Sequence, residues 1–209
     1  MSPKSDLKRK LILDSAVKVF ADLGYQYATI DDIAKEAGIA KGSIHAYFEN
    51  KLDVLLSIML LFWQAVTDAN IIKISNIDNP VDTLKSIFST FQDILLQDKQ
   101  SLSLGKILQE GLPKIDMIKS EQLQQKIIDI GRQGKNLIQT IDSVITMGQK
   151  KGLIKKCISH QVLRQILGGS SQSLVYGLFM QFSQGEVGIG YDQQNVKDAM
   201  NVLIDAFAV

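Results

Sequence analysis

The sequence predicts an all-α protein: a small N-terminal three-helix unit, joined through a shared fourth helix to a larger helical domain, about nine helices in total. Three observations carry that expectation. Apolar residues recur at three- and four-residue spacing along nearly all of the 209 residues. The three prolines stand at segment boundaries: Pro3 in the tail, Pro80 directly after Asn79, and Pro113 just after Gly111. No alternating apolar–polar run is bounded by hairpin turn signals.

The elements follow in order. Leu11, Ile12, Ala16, Val19, Phe20 and Leu23 form the apolar face of a helix over about Asp6 to Leu23, with Gly24 placed to end it. Thr29 starts a second helix, with Asp32 three residues on as a variant capping box. Ile30, Ile33, Ala34 and Ala37 are its inner face and Gly38 its end. A short third helix covers about Lys41 to Phe48. Asn50 caps a fourth, from Lys51 to about Ala69, with Asp53 at its third position. Further helical patterns cover about 80–98, 101–112, 120–151, 159–183 and 192–207. Gly152 closes the long one, and Ser159 and Asp192 are caps. The segment Ser183–Tyr191 carries Gly185, Gly188 and Gly190. It lacks the preceding strand and the tight glycine order of a phosphate-binding loop, so it is read as a connector. The domains are expected at 1–50 and 51–209.

Composition bounds the function classes. With 45% apolar residues the chain can bury a sizeable core. Net charge is +1, and within residues 1–51 eight Lys/Arg stand against seven Asp/Glu. Charge balance therefore announces no nucleic-acid partner; only the placement of cations can. The single cysteine, Cys157, precludes an intramolecular disulfide and fits a reducing compartment. Asp14 and Lys18 break any signal-peptide core, and the apolar run from Val54 to Val66 is short of the ~20 residues that span a membrane. A cytoplasmic protein without a membrane partner is expected. The two histidines, His45 and His160, form no metal spacing with other ligand types, and Cys157 near His160 lacks a third, orienting group. Neither an enzyme nor a cofactor or metal is expected.

The corner at Gly38-Ile39-Ala40 joins two short helices, as a helix-turn-helix requires. The second of them can then lie in a major groove with its N-terminal residues toward base edges. The stretch 29–55, TIDDIAKEAGIAKGSIHAYFENKLDVL, closely resembles the N-terminal signature of the tetracycline-repressor (TetR) family. The matches are a Thr before the second helix, the Ile-Ala pair, Ala-Gly at the turn, Lys-Gly-Ser opening the recognition helix, an aromatic and Phe, and the Lys that starts helix four. Ile12, Ala16, Phe20 and Gly24-Tyr25 match as well. The resemblance covers about a quarter of the chain. It implies a homodimeric transcriptional regulator, a repressor of a palindromic duplex operator. Its DNA contacts would be Thr29, Lys41, Gly42, Ser43, His45, Tyr47 and Lys51. Tyr47 resembles the family tyrosine whose hydroxyl meets a phosphate. Lys51 opens helix four, so its charge and the helix dipole are expected to act on one phosphate. The chain departs from the pattern twice. His45 replaces a usual tyrosine, and Ala40 replaces a usual capping Ser or Thr.

The resemblance also implies a ligand pocket in the C-terminal domain. Phe62, Trp63, Phe91, Gln109, Glu110, Arg132, Met147, Gln172 and Tyr176 are expected to line it. A weaker resemblance to fatty-acid-responsive members, over GSIHAYFENKLDVLLSI and GQKKGLI, points to a small apolar ligand such as a long-chain acyl-CoA. Leu163, Leu167, Ser170, Leu174, Gly177 and Gln181, with Met200, Leu203 and Phe207, are the expected dimer stripe. The alternative is a DNA-binding regulator controlled by a protein partner or by abundance, with no inducer.

Overall fold

The computed structural model describes residues 3–74, 78–96, 118–184 and 192–209. Within them the protein is all-helical, with α1 (Pro3–Leu23), α2 (Ile30–Glu36), α3 (Lys41–His45), α4 (Lys51–Ile74), α5 (Pro80–Leu96), α6 (Glu121–Lys151), α7 (His160–Gln184) and α8 (Gln193–Asp205). The expected helix at 101–112 and the glycine connector at 185–190 lie outside the described residues. α1 starts three residues earlier than expected, and α4 runs five residues longer. α3 stops at His45, because the chain turns there to bring Phe48 into the core.

The anticipated caps are present. Asn79 accepts the Val81 N–H at 2.9 Å beside Pro80, and Asn50 accepts the Asp53 N–H at 3.0 Å. Asp192 caps α8, Ser159 accepts the Val162 N–H at 3.3 Å at the start of α7, and Ser120, which was not anticipated, caps α6. Gly152 ends the 31-residue α6 with a φ of 74°, a conformation that suits glycine. After it the chain runs beside its own C-terminal residues, with an isolated antiparallel bridge between Ile154 and Ala208.

Three apolar clusters hold the helices. The first joins α1, α2 and α3 through Ile12, Ala16, Phe20, Ile33, Ile44 and Phe48. It continues along α4 as far as Met59 and takes in Ile118, Leu123 and Ile130. The N-terminal unit therefore shares one core with the first turns of α4 and α6. The second cluster lies among α5, α6, α7 and α8, and the third among α4, α5, α7 and α8. In length and composition, Lys51–Ala69 of α4 is apolar enough to cross a membrane, which the sequence reading did not anticipate. Half of that window is buried, which is how the central helix of a bundle packs.

One polar tie crosses the first core. Asp53, 3% exposed at its side chain, is ion-paired with Lys126 of α6, whose ammonium also donates to Ser57 Oγ at 2.9 Å. Asp53 also accepts the Glu49 N–H at 2.8 Å, and Ser120 donates to Glu49 Oε2 at 2.7 Å. The start of α4 and the start of α6 are thus tied by two polar links as well as by packing.

Candidate nucleic-acid interface

The corner between α2 and α3 is built from local rules. Thr29 accepts the Asp32 N–H at 3.2 Å, and Asp32 accepts the Thr29 N–H at 2.9 Å and its hydroxyl at 2.6 Å. This is a complete capping box made with Asp instead of Glu. At the other end Gly38 adopts a φ of 63°, which lets the Ile39 N–H return to Ala34 O at 3.0 Å. Ile39 then packs on the head core, and Ile44 and Phe48 anchor α3 with almost no exposed surface. Ala40 leaves α3 without a side-chain cap, and Ser43 does not supply one.

The bonds from Thr29 hold the Asp32 carboxyl below its ordinary value, the hydroxyl contributing most. A depressed carboxylate stabilises the fold above its unfolded pKa, and that contribution disappears as pH falls through the folded value. The order of α2 should therefore weaken as pH drops below the ordinary carboxylate range. Amide exchange of α2 against pH checks this, and Asp32→Asn should flatten the profile. An unchanged profile in that variant would exclude the capping carboxylate as its cause.

Anchoring α3 from within leaves its outer face in solvent. Thr29, Lys41, Gly42 and His45 are exposed, and Ser43 and Tyr47 are half-buried. Lys41 is not idle in this state: its ammonium bonds Asp31 of α2 at 2.8 Å, an exposed pair that a stronger anion can displace. Gly42 has nothing within 4 Å of where a Cβ would sit. A glycine inside a helix costs about 1 kcal/mol relative to alanine, and no contact within the chain requires it here.

Lys51 departs from expectation. Its ammonium donates to the carbonyls of Tyr25, Gln26 and Ala28 at 2.7, 3.2 and 2.7 Å. It also sits 4.7 Å from the Tyr25 ring centroid. All three N–H donors are used inside the head, and burial lowers the lysine pKa. Lys51 thereby clamps the loop between α1 and α2. The missed signal is Tyr25, whose ring forms the floor of that clamp and packs edge-on against Phe20 at 5.3 Å.

The expected pocket residues divide. Phe62, Trp63 and Phe91 do converge: Phe62 lies 5.6 Å from Trp63 and 5.9 Å from Phe91, and Trp63 lies 6.4 Å from Phe91, between ring centroids. Arg132 does not join them; it is exposed and pairs with Asp129 at 3.2 Å one turn away. Gln172 is exposed. Met147 faces a shallow open groove along α6 with Asp142, Ser143, Thr146 and Lys150. Arg132 and Gln172 are thus exposed and Met147 half-buried, all apart from the aromatic set. Gln109, Glu110 and the side chain of Tyr176 lie outside the described residues. Two buried polar residues that no sequence pattern singles out are Gln92 and Ser171. Within one helix each reads as an ordinary polar position, and only the pairing of α5 with α7 turns both inward.

The expected dimer stripe divides as well. Leu163, Leu167 and Met200 are each 1% exposed in the second cluster, so they have no surface left for a partner. Ser170, Leu174, Gly177, Leu203 and Phe207 are half-buried, and the side chain of Gln181 lies outside the described residues. The exposed apolar positions are Val162 on α7 and Val202 on α8, at 49% and 69%. Gly168 and Gly169 face open space.

Residues 12–58 match the family described as bacterial regulatory proteins, tetR family. The fatty acid metabolism regulator protein of Bacillus subtilis is 29% identical over 164 residues, 78% of this chain and 79% of its own length. The crystal structure of the transcriptional regulator FadR from Bacillus subtilis in complex with stearoyl-CoA superposes with a TM-score of 0.72 at 26% identity, covering 93% of this chain and 96% of that one. The fatty acid degradation regulator FadR from Bacillus halodurans gives 0.74 at 25% identity, covering 98% and 95%.

Proposed function

We propose that this chain, whose residues 12–58 match the tetR family of bacterial regulatory proteins and which is similar to FadR along most of its length, is a homodimeric DNA-binding repressor released from a palindromic operator by a long-chain acyl ligand. The observation that carries the DNA contact is the outer face of α3: an open glycine at Gly42, flanked by Lys41, Ser43 and His45, on a helix fixed from behind by Ile44 and Phe48. A glycine there permits close backbone approach to the sugar–phosphate chain, and the side chains on either side can reach base edges. Thr29 and Tyr47 flank that face and suit phosphate.

The ligand half of the reading rests on two supports. One is the similarity to a regulator whose structure holds stearoyl-CoA. The other is the aromatic set Phe62, Trp63 and Phe91, which belongs to the third apolar cluster, between α4 and α5. An acyl chain wedged there bears on α4, which also carries the head. Two heads must meet grooves ~34–36 Å apart, so a small change in α4 removes contacts in both half-sites together.

The test is operator selection from genomic fragments, followed by titration with stearoyl-CoA. A palindromic site is expected, with release at increasing ligand. Lys41→Ala should weaken binding and change base preference, whereas Tyr47→Phe should weaken all sequences alike. An operator that is bound equally with and without ligand would discard the inducer and leave the DNA-binding assignment standing.

A further inference from the structure

Gln92 of α5 is 0% exposed, and neither its amide nitrogen nor its oxygen has a hydrogen-bond partner. Ser171 of α7 is 2% exposed, and its hydroxyl is likewise without a partner. Buried polar groups are nearly always bonded, and an apolar residue of the same shape would be more stable at such a position. The two residues share a level. Gln92 lies one turn beyond Phe88 and one turn before Leu96; Ser171 lies one turn beyond Leu167 and one turn before Val175. Phe88 and Leu167 belong to the second apolar cluster, and Leu96 and Val175 to the third. Gln92 and Ser171 therefore occupy the seam between two dry clusters on helices that pack together, next to the cluster that carries Phe62, Trp63 and Phe91.

Among the described residues the seam carries no charged side chain. On the same helices Asp93 pairs with Lys197, Lys85 with Asp205, and Arg164 with Asp142, and each of these pairs is partly exposed. A carboxylate brought to Gln92 would be buried without a cation, at a heavy desolvation penalty. A neutral carbonyl would instead accept from the Gln92 amide and from the Ser171 hydroxyl, and a neighbouring N–H or O–H could donate to the Gln92 oxygen.

We propose that Gln92 and Ser171 form an internal recognition point for an uncharged carbonyl on an otherwise apolar ligand, so that the protein accepts acyl thioesters and amides and rejects free fatty acids. The inference deepens the acyl-ligand reading and rests on it. It makes the missing hydrogen bonds part of selectivity: a bare alkyl chain or a carboxylate leaves them unmade.

Calorimetric titration of the full-length protein with stearoyl-CoA, dodecanamide and laurate tests this. The wild type should bind the first two, and laurate at least tenfold more weakly than dodecanamide. Gln92→Met keeps the shape and removes both polar atoms. It should weaken stearoyl-CoA and dodecanamide at least tenfold, leave laurate unchanged, and raise the melting temperature of the free protein. Ser171→Ala, which removes one oxygen, should shift affinity in the same direction and carries the comparison if Gln92→Met does not fold. Unchanged binding of stearoyl-CoA by both variants, or laurate as tight as dodecanamide, would overturn the recognition point while sparing the acyl-ligand reading. Failure of the wild type to bind any of the three would remove that reading and this one together.

Discussion

Lys126→Ala is expected to lower the unfolding free energy by ~3–5 kcal/mol, because it strands the buried Asp53 carboxylate without its cation. For a chain of this size that corresponds to a fall in melting temperature on the order of 10 °C. The other bond to the Asp53 carboxylate comes from the Glu49 N–H, and it does not neutralise the charge. The double variant Asp53→Asn, Lys126→Met should recover most of the loss, since it removes both charges at nearly constant volume. Thermal melts of the three proteins, followed by circular dichroism, decide the matter. A single variant as stable as the wild type would show that the pair contributes nothing. The double variant has a second use. Asp53 lies in the first turn of α4, within the segment that matches the tetR family, and Lys126 lies near the start of α6. If the pair helps to convey ligand binding to the head, the double variant should bind operator normally and release it at higher ligand concentration.

Val202→Asp should divide the dimer into monomers of 23.2 kDa and lower operator affinity by a hundredfold or more. Each head alone makes half the contacts, and the second half-site is then no longer met at the high effective concentration that linkage supplies. Val202 is 69% exposed, so the charge should leave the protomer's fold intact. Gly169→Leu gives an independent check with opposite effects on the two levels. Its Cβ meets open space in the protomer and leucine favours the helix, so the protomer should be stabilised. The same side chain blocks close approach of a second α7, so the dimer should weaken. Light scattering with and without operator measures both. A dimer that survives both substitutions would place the subunit contact elsewhere.

Much of this was legible because it is local. The caps at Thr29, Asn50, Asn79, Ser159 and Asp192, and the left-handed glycines Gly24, Gly38 and Gly152, are written in spacings of a few residues. The helix-turn-helix was readable for the same reason, since its Ile44 and Phe48 anchors fall at four-residue spacing. Long-range choices were not legible. Lys51 stands where its charge is expected to face a phosphate, yet three carbonyls more than twenty residues earlier in sequence receive its protons. Leu163, Leu167 and Met200 stand on apolar stripes that could face either a partner or their own core, and periodicity alone cannot distinguish the two. Nothing in the sequence singles out Gln92; it is the packing of α5 against α7 that buries it. The partner of Asp53 also lay out of reach, because Lys126 is one of several lysines on an amphipathic helix.

The aromatic set in α4 and α5 has an optical consequence. The chain holds a single tryptophan, and Trp63 is half-buried between Phe62, Phe91 and the Gly134 backbone of α6. Its emission therefore arises from one place, where three helices meet, and no other indole dilutes it. Displacement of α6 from α4 would open the Gly134 side of the ring to water and shift emission to longer wavelength. An apolar molecule entering beside Phe91 would shift it to shorter wavelength. The unlabelled protein thus carries a built-in reporter whose sign separates opening from filling, and stopped-flow recording of it would show which comes first.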